Sequence, residues 1–249
     1  MSLKDDIKSK VKEYLSPGRY TTTNIDYIPD KTDPSITFGN KGSILSGTAL
    51  HIDLRNSTMI MKKHHKDTIA KIHKAYLHIV AKIVSSHNGC IRSFNGDGVL
   101  VFFPGNTVGT IKNAVMSAMK IAHLLTVECK SNFEQYDALD FGIGIHHGEM
   151  LVVKTGLAGD NNNDLLWIGD PVNFAVKMGD MACSPKHIRI SYIVHNNLAD
   201  DMRYHIIKKQ GLFGEEIVEK VDMWNPVYAF QYADENVTIY ETSYLMTVS

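Results

Sequence analysis

Apolar positions recur along the chain with two different periods, and their order predicts the elements. Leu3, Ile7, Val11 and Leu15 recur at four-residue steps among lysines and acids, forming one apolar stripe on a short helix that Ser16-Pro17-Gly18 stops. That stripe serves either packing against its own domain, the preferred reading, or contact with a second copy. Residues 19–46, with Pro29, Pro34, Gly39 and Gly42, read as an ordered arm with little regular structure. From Gly47 the periods alternate. A strand over about 48–54 precedes a long helix over about 58–86, with Ile69, Ile72, Tyr76, Ile79, Val80 and Ile83 inward. Strands over about 90–94 and 99–103 flank Asn95-Gly96-Asp97-Gly98, a tight-hairpin signal. A second helix covers about 107–129, and a further hairpin pairs 139–146 with 149–153. A polar loop over Gly156–Asp164 leads to an apolar strand, Leu165–Ile168, and then through Gly169-Asp170-Pro171 into a helix. His187–Ser191 and Val227–Phe230 read as late strands, and the residues after about 232 as a tail.

The order strand, helix, strand, strand, helix, strand is that of a split βαβ, ferredoxin-like α+β domain. It implies a mixed, mostly antiparallel sheet with helices on one side. The expected organisation is an N-terminal helix and arm over 1–46, a main domain over 47–232 and a tail over 233–249. At 249 residues, 44% hydrophobic and 21% charged, the chain has the composition of a globular protein with a sizeable core. A net charge of −1 supplies no basic field for nucleic acid or anionic lipid, and no apolar run reaches membrane-spanning length. Neither nucleic acid nor membrane is expected as a partner. The start lacks the layout of a signal peptide, and Cys90, Cys129 and Cys183 are too scattered for a disulfide frame or a zinc site, so a cytoplasmic protein is expected. The adjacent pairs His64-His65 and His146-His147 point apart on any regular element and do not chelate together.

Three segments carry candidate chemistry. Asp53 ends an apolar stretch and runs into Leu54-Arg55-Asn56-Ser57-Thr58 at a helix start, where free backbone N–H groups, two hydroxyls and a guanidinium suit phosphate. The plain alternative makes Ser57 or Thr58 a helix cap and Arg55 a surface charge. Asp97 at the hairpin tip is, alone, a turn residue. In a split βαβ sheet, however, the end of the first strand and the tip of the next hairpin are neighbours. Two carboxylates there repel unless a cation lies between them, and hard oxygen donors suit Mg²⁺ or Mn²⁺ on a triphosphate. In Gly169-Asp170-Pro171-Val172-Asn173-Phe174-Ala175-Val176-Lys177, Asn173 and Lys177 share one helical face. An amide and an ammonium there can hold a ribose and neutralise a phosphoryl transition state, or simply form a solvated face.

Together these segments, spread over about Gly47 to Ser191, resemble the class III nucleotidyl cyclases. The family pattern is an aspartate ending the first strand, a Gly-Asp hairpin, and a Gly-Asp-x-Val-Asn-x-Ala-x-Arg helix. Carried over, the resemblance implies that Asp53, Asp97 and the carbonyl of Leu54 hold two Mg²⁺ or Mn²⁺ ions per active site. Arg55, Asn56, Ser57 and Thr58 would bind substrate, and Asn173 would orient the ribose. The family's transition-state arginine falls on Lys177, which keeps the charge and loses the bidentate fork. It also implies a homodimer whose sites lie between subunits, with the metals from one and Asn173 and Lys177 from the other.

Purine selection in the family rests on two positions that fall on Ser93 and Leu166. They match neither the adenylyl nor the guanylyl pattern. The Asp-Leu-Arg-Asn-Ser-Thr turn and Ala-Val-Lys-Met helix look more like the bacterial pyrimidine cyclases of the Pycsar anti-phage systems. Those convert CTP or UTP to cyclic CMP or cyclic UMP, a second messenger that activates a separately encoded effector. His51 could flank the base or be a satisfied interior histidine. The choice between CTP and UTP stays open, because a histidine can serve either base edge by changing tautomer. The alternatives are an adenylyl or guanylyl cyclase with an atypical pocket, or a non-catalytic nucleotide-binding homologue.

Overall fold

The computed structural model describes residues 2–18, 20–136, 139–159, 161–210 and 216–248. In chain order the elements are α1 (Leu3–Leu15), β1 (Thr21–Asn24), β2 (Lys41–Arg55), α2 (Ser57–Lys63), α3 (Lys66–Ser86), β3 (Cys90–Asn95), β4 (Gly98–Pro104), α4 (Val108–His123) and α5 (Lys130–Glu134). Then come β5 (Asp140–Gly156), β6 (Asn163–Ile168), α6 (Asp170–Met181), β7 (Ile188–Ser191), α7 (Tyr192–Asn196), α8 (Asp200–Arg203), β8 (Tyr204–Gln210), β9 (Glu216–Asp222), β10 (Asn225–Tyr232) and β11 (Glu235–Thr242).

The main sheet runs β10-β11-β7-β5-β2-β4-β3, with β1 parallel to β2 and β6 antiparallel to β5. At its centre Leu50 of β2 stands opposite Val101 of β4 and Ile145 of β5. β7 is parallel to β5, and the other ladders named so far, apart from β1–β2, are antiparallel. The result is the mixed, mostly antiparallel α+β sheet expected. Strand alternation divides it into two faces. Leu50, Ile52 and Leu54 face α3 and α4 in the larger core, with Tyr76, Val101, Ile121 and Ile145. Ala49 and Phe102 face the other way, in a second cluster with Met150 and Ala175 of α6.

α3 and α4 cover one face, and α6 crosses the other. Gly142, Gly144 and Gly148 lie on one side of β5, at period two, and let α6 come close. A Cβ on Gly142 would lie 2.1 Å from the carbonyl oxygen of Gly179, and one on Gly148 would touch Pro171 at 3.2 Å. The same glycines explain why β5 is one continuous strand of 17 residues, where a hairpin with a turn near His147-Gly148 was expected. Gly148 is there for helix contact and pairs with Gly47 inside the ladder.

Other expectations are corrected. No residue of α1 is buried, so its stripe does not pack on its own domain. The arm contains β1, and β2 begins at Lys41. The long helix breaks at His64 and His65, where an extended backbone separates α2 from α3 with no glycine or proline to mark it. The helix after β4 ends in a π turn, Leu124–Glu128, before α5. The residues past 232 are no tail. Ala233 and Asp234, both at positive φ, make a two-residue turn into β11, which is hydrogen-bonded to β7 and buries Ile239 and Thr242. β8 and β9 form a separate two-stranded ribbon that the sequence did not reveal. The loop expected over Gly156–Asp164 is shortened at both ends by β5 and β6, and its Asp160 lies outside the described residues. Among the described residues no helix is long and apolar enough to cross a membrane.

Candidate active site

β2 carries His51 and Asp53 on the face that α6 crosses, one pleat apart. The next strand to pass them is β4, and it does so at Gly98. A Cβ on Gly98 would lie 3.3 Å from both Asp53 Oδ1 and His51 Nε2. Asp97, the residue before, sits in the hairpin tip beside Gly96, whose φ of +65° a side chain rarely adopts. The structure therefore brings Asp53 and Asp97 to one corner of the sheet.

The electrostatics of that corner are strained. Burial, then the negative charges of Asp97 and Asp180, push the Asp53 carboxyl up to about 6, against the lowering effects of Arg55 and the Leu54 N–H. Asp97 Oδ2 is buried with no hydrogen-bond partner among the described residues. A buried carboxylate oxygen without a donor costs free energy, and a neighbouring anion adds to the cost. A divalent cation between the two carboxylates would relieve their repulsion, so the pair fits a hard ion such as Mg²⁺ or Mn²⁺. Among the described residues no three His, Cys, Asp or Glu side chains converge on one metal position. The remaining ligands must come from backbone oxygen, such as that of Leu54, from phosphate or from water.

His51 is packed inside this corner. Its ring lies between Gly98 and Gly179, with Nδ1 3.0 Å from where a Gly179 Cβ would stand. Nδ1 has no partner, and burial holds the ring's pKa below its usual value, so the imidazole is neutral at pH 7. Arg55 turns away from the expected phosphate cradle. Its Nε donates to the Ala182 carbonyl at 3.0 Å and its Nη2 to the Gly179 carbonyl. Gly179 lies in the last turn of α6 and Ala182 is its C-cap, so Arg55 joins the strand end to the C-terminal end of α6. Its assignment as a phosphate ligand is corrected accordingly. Asn56 takes a left-handed conformation, φ 56°, as the N-cap of α2 without a side-chain bond, so neither Ser57 nor Thr58 caps the helix. Asn56 and Thr58 are exposed and Ser57 half-buried, beside Asp53 in sequence.

Asn173 and Lys177 are both exposed on α6, as their spacing predicted. Lys177 Nζ lies 5.9 Å over the ring of Tyr232, which stacks on Phe174 at 4.3 Å and donates its hydroxyl to Asp170 at 3.0 Å. Tyr232 thereby steadies the lysine. Asp180, three residues past Lys177, is also exposed, and its charge acts on both Asp53 and His51. The sequence reading missed both residues. Helical spacing from Asn173 and Lys177 could have found Asp180, but only the tertiary fold brings Tyr232 in. Ser93 on β3 and Leu166 on β6 are exposed, on strands that have β4, β2 and β5 between them.

Comparison with known proteins agrees with this geometry. No family model matches the chain. A uridylate cyclase from Rhodovulum sp. (strain MB263) is 30% identical over 253 residues, covering 98% of this chain and 97% of that protein. One from Burkholderia cepacia is 27% identical over 252 residues and the full length of both. Among solved structures, the guanylyl cyclase Cya2 superposes with a TM-score of 0.63 at 23% identity, over 82% of this chain and 95% of that one. The adenylyl cyclase CyaB from P. aeruginosa gives 0.62 at 21% identity, over 81% and 95%.

Proposed function

The chain belongs to the class III nucleotidyl cyclase family, and on that premise we propose that it is a uridylate cyclase, forming 3′,5′-cyclic UMP and pyrophosphate from UTP. The observation that carries the cyclase reading is the pair Asp53 and Asp97 at one sheet corner, with the Asp97 oxygen buried and unpaired. Full-length similarity to relatives named uridylate cyclase supports UTP over CTP.

Asp53 and Asp97, with the carbonyl oxygen of Leu54, would hold two Mg²⁺ or Mn²⁺ ions. Held there, the ions would supply Lewis-acid charge to the 3′ hydroxyl and the leaving phosphates. The ribose 3′ hydroxyl would give up its proton to solvent and its oxygen would bond to the α-phosphorus as the bond to the β-phosphate oxygen breaks and pyrophosphate leaves. In a homodimer Asn173 of a second subunit would orient the ribose, and Lys177, held by Tyr232, would neutralise charge on the α-phosphoryl group. Asn56, Ser57 and Thr58 supply polar contacts for the phosphates. Ser93 and Leu166 are the base-pocket residues by resemblance. The resemblance to anti-phage pyrimidine cyclases extends the reading to a messenger that a separately encoded effector detects.

Purified protein incubated with each of the four nucleoside triphosphates and Mn²⁺ tests the reading. The expected product is cyclic UMP from UTP, absent from Asp97→Ala. Cyclic CMP as the main product would move the substrate to CTP. A product from ATP or GTP alone would refute the pyrimidine assignment, and no product from any would leave a nucleotide-binding homologue.

A further inference from the structure

Tyr76, midway along α3, is 0% exposed and among the largest fully buried side chains of the core. Its hydroxyl has no hydrogen-bond partner among the described residues. A buried hydroxyl in that condition is unfavourable, and a phenylalanine would fill the same space without that cost. Tyr76 shares its core cluster with Ile52 and Leu54, which flank Asp53, and with Val99, two residues past Asp97 on the hairpin strand. After burial, the groups that act most on it are the carboxylates of Asp53 and Asp97, and all three effects favour keeping its proton. Asp97 presents the complementary defect, since its Oδ2 is a buried acceptor with no donor. Two unpaired groups of opposite hydrogen-bonding character thus lie under the same sheet corner, one from the helix layer and one from the hairpin tip.

We propose that Tyr76 is a positioning residue of the metal site: its hydroxyl donates to the inner oxygen of Asp97 when a cation draws the two aspartates together. This rests on the reading of Asp53 and Asp97 as metal carboxylates. A donor on the core side leaves the outer oxygen of Asp97 for the cation and fixes the carboxylate's rotation. Such outer contacts commonly change metal affinity about 10–100-fold. The phenol also spares the metal-loaded site a buried acceptor without a partner.

The test uses the full chain and Mn²⁺ alone, followed by calorimetric titration and by the melting temperature with and without the ion. Tyr76→Phe keeps the ring and removes the donor. The expected result is a metal-free protein that melts at or above the wild-type temperature, with Mn²⁺ affinity roughly tenfold weaker. Wild-type Mn²⁺ affinity in Tyr76→Phe overturns the inference. So does a lower metal-free melting temperature, which would show the hydroxyl serving the metal-free fold. Asp97→Ala separates the two claims. If it binds Mn²⁺ like the wild type, the metal-site reading fails; if it loses Mn²⁺ while Tyr76→Phe does not, only the role of Tyr76 falls.

Discussion

The position of a Cβ on Gly144 lies 2.0 Å from the carbonyl oxygen of Ala175, backbone against backbone with nothing flexible between them. Gly144→Ala must therefore push α6 off the sheet. The expected cost is at least the roughly 1–3 kcal/mol typical of overpacking, a fall in melting temperature of about 2–4 °C per kcal/mol, with loss of cyclase activity as Asn173 and Lys177 move. A variant that melts and works like the wild type would show that α6 is not seated on the sheet in this way.

That relationship also marks where the sequence stopped being legible. Elements with strong local period, such as α3, α4, β4 and α6, were readable, and so was the hairpin that carries Asp97, because Asn-Gly-Asp-Gly specifies its own turn. Gly142 and Gly144 were readable only as strand positions and Gly148 only as part of a turn, because their reason is a helix distant in sequence. β11 was missed because its turn, Ala233-Asp234, lacks the usual signal and its exposed face is polar. Asp53 and Asp97 were legible from their motifs. The capture of Arg55 by α6 and the role of Tyr232 depend on tertiary neighbours that no spacing encodes, whereas the helical step from Lys177 leads to Asp180.

Asp53 should destabilise the metal-free protein when ionised. Its carboxyl is raised to about 6 in the fold against about 3.9 in an unfolded chain. The protonated folded form is favoured, so stability contributed by this group is present below about pH 4 and is lost as pH rises to about 6. Allowing for solvent screening, the loss is about 1–2 kcal/mol. Asp53→Asn should melt higher than the wild type at pH 7.5 without metal, match it near pH 4, and make no cyclic product. Melting curves at the two pH values check this; an Asp53→Asn protein less stable than the wild type at pH 7.5 would refute the electrostatic account.

Mixed dimers test where the halves of the site come from. Asp97→Ala and Asn173→Ala should each be inactive alone. Co-refolded at equal amounts they should regain roughly a quarter of wild-type activity, because half of the randomly paired dimers then hold one intact site of two. Failure to recover any activity would argue against a site shared between subunits.

Lys177→Ala should lower kcat about 10²–10³-fold with little change in KM, as expected for charge supplied in the transition state. Tyr232→Leu, which removes the ring beneath the ammonium, should have a smaller effect in the same direction. Steady-state kinetics on both variants decide the matter, and an unchanged kcat in Lys177→Ala would remove that residue from the mechanism.

His146 should limit stability in acid. It is 6% exposed, its Nδ1 lacks a partner, and its ring meets Phe174 edge-on at 4.9 Å. Burial takes its pKa down to about 4, partly opposed by Asp170. The folded state prefers the neutral ring, so its stability is full above about pH 6.5 and falls as pH drops toward about 4, by up to about 3 kcal/mol. His146→Leu should show a shallower acid limb in chemical denaturation over that range.

The β2–β5 ladder joins Ser43 to Val152 at one end and Arg55 to Asp140 at the other, in unbroken antiparallel register. Asp53 stands within that ladder. Amide hydrogens of residues 47–52, paired with β4 on one side and β5 on the other, should exchange with deuterium only on global opening. The strand segment that leads into Asp53 thus has no soft local state of its own. A destabilising substitution far away in the core should reduce the fraction of molecules that are active and leave the turnover of each surviving molecule unchanged.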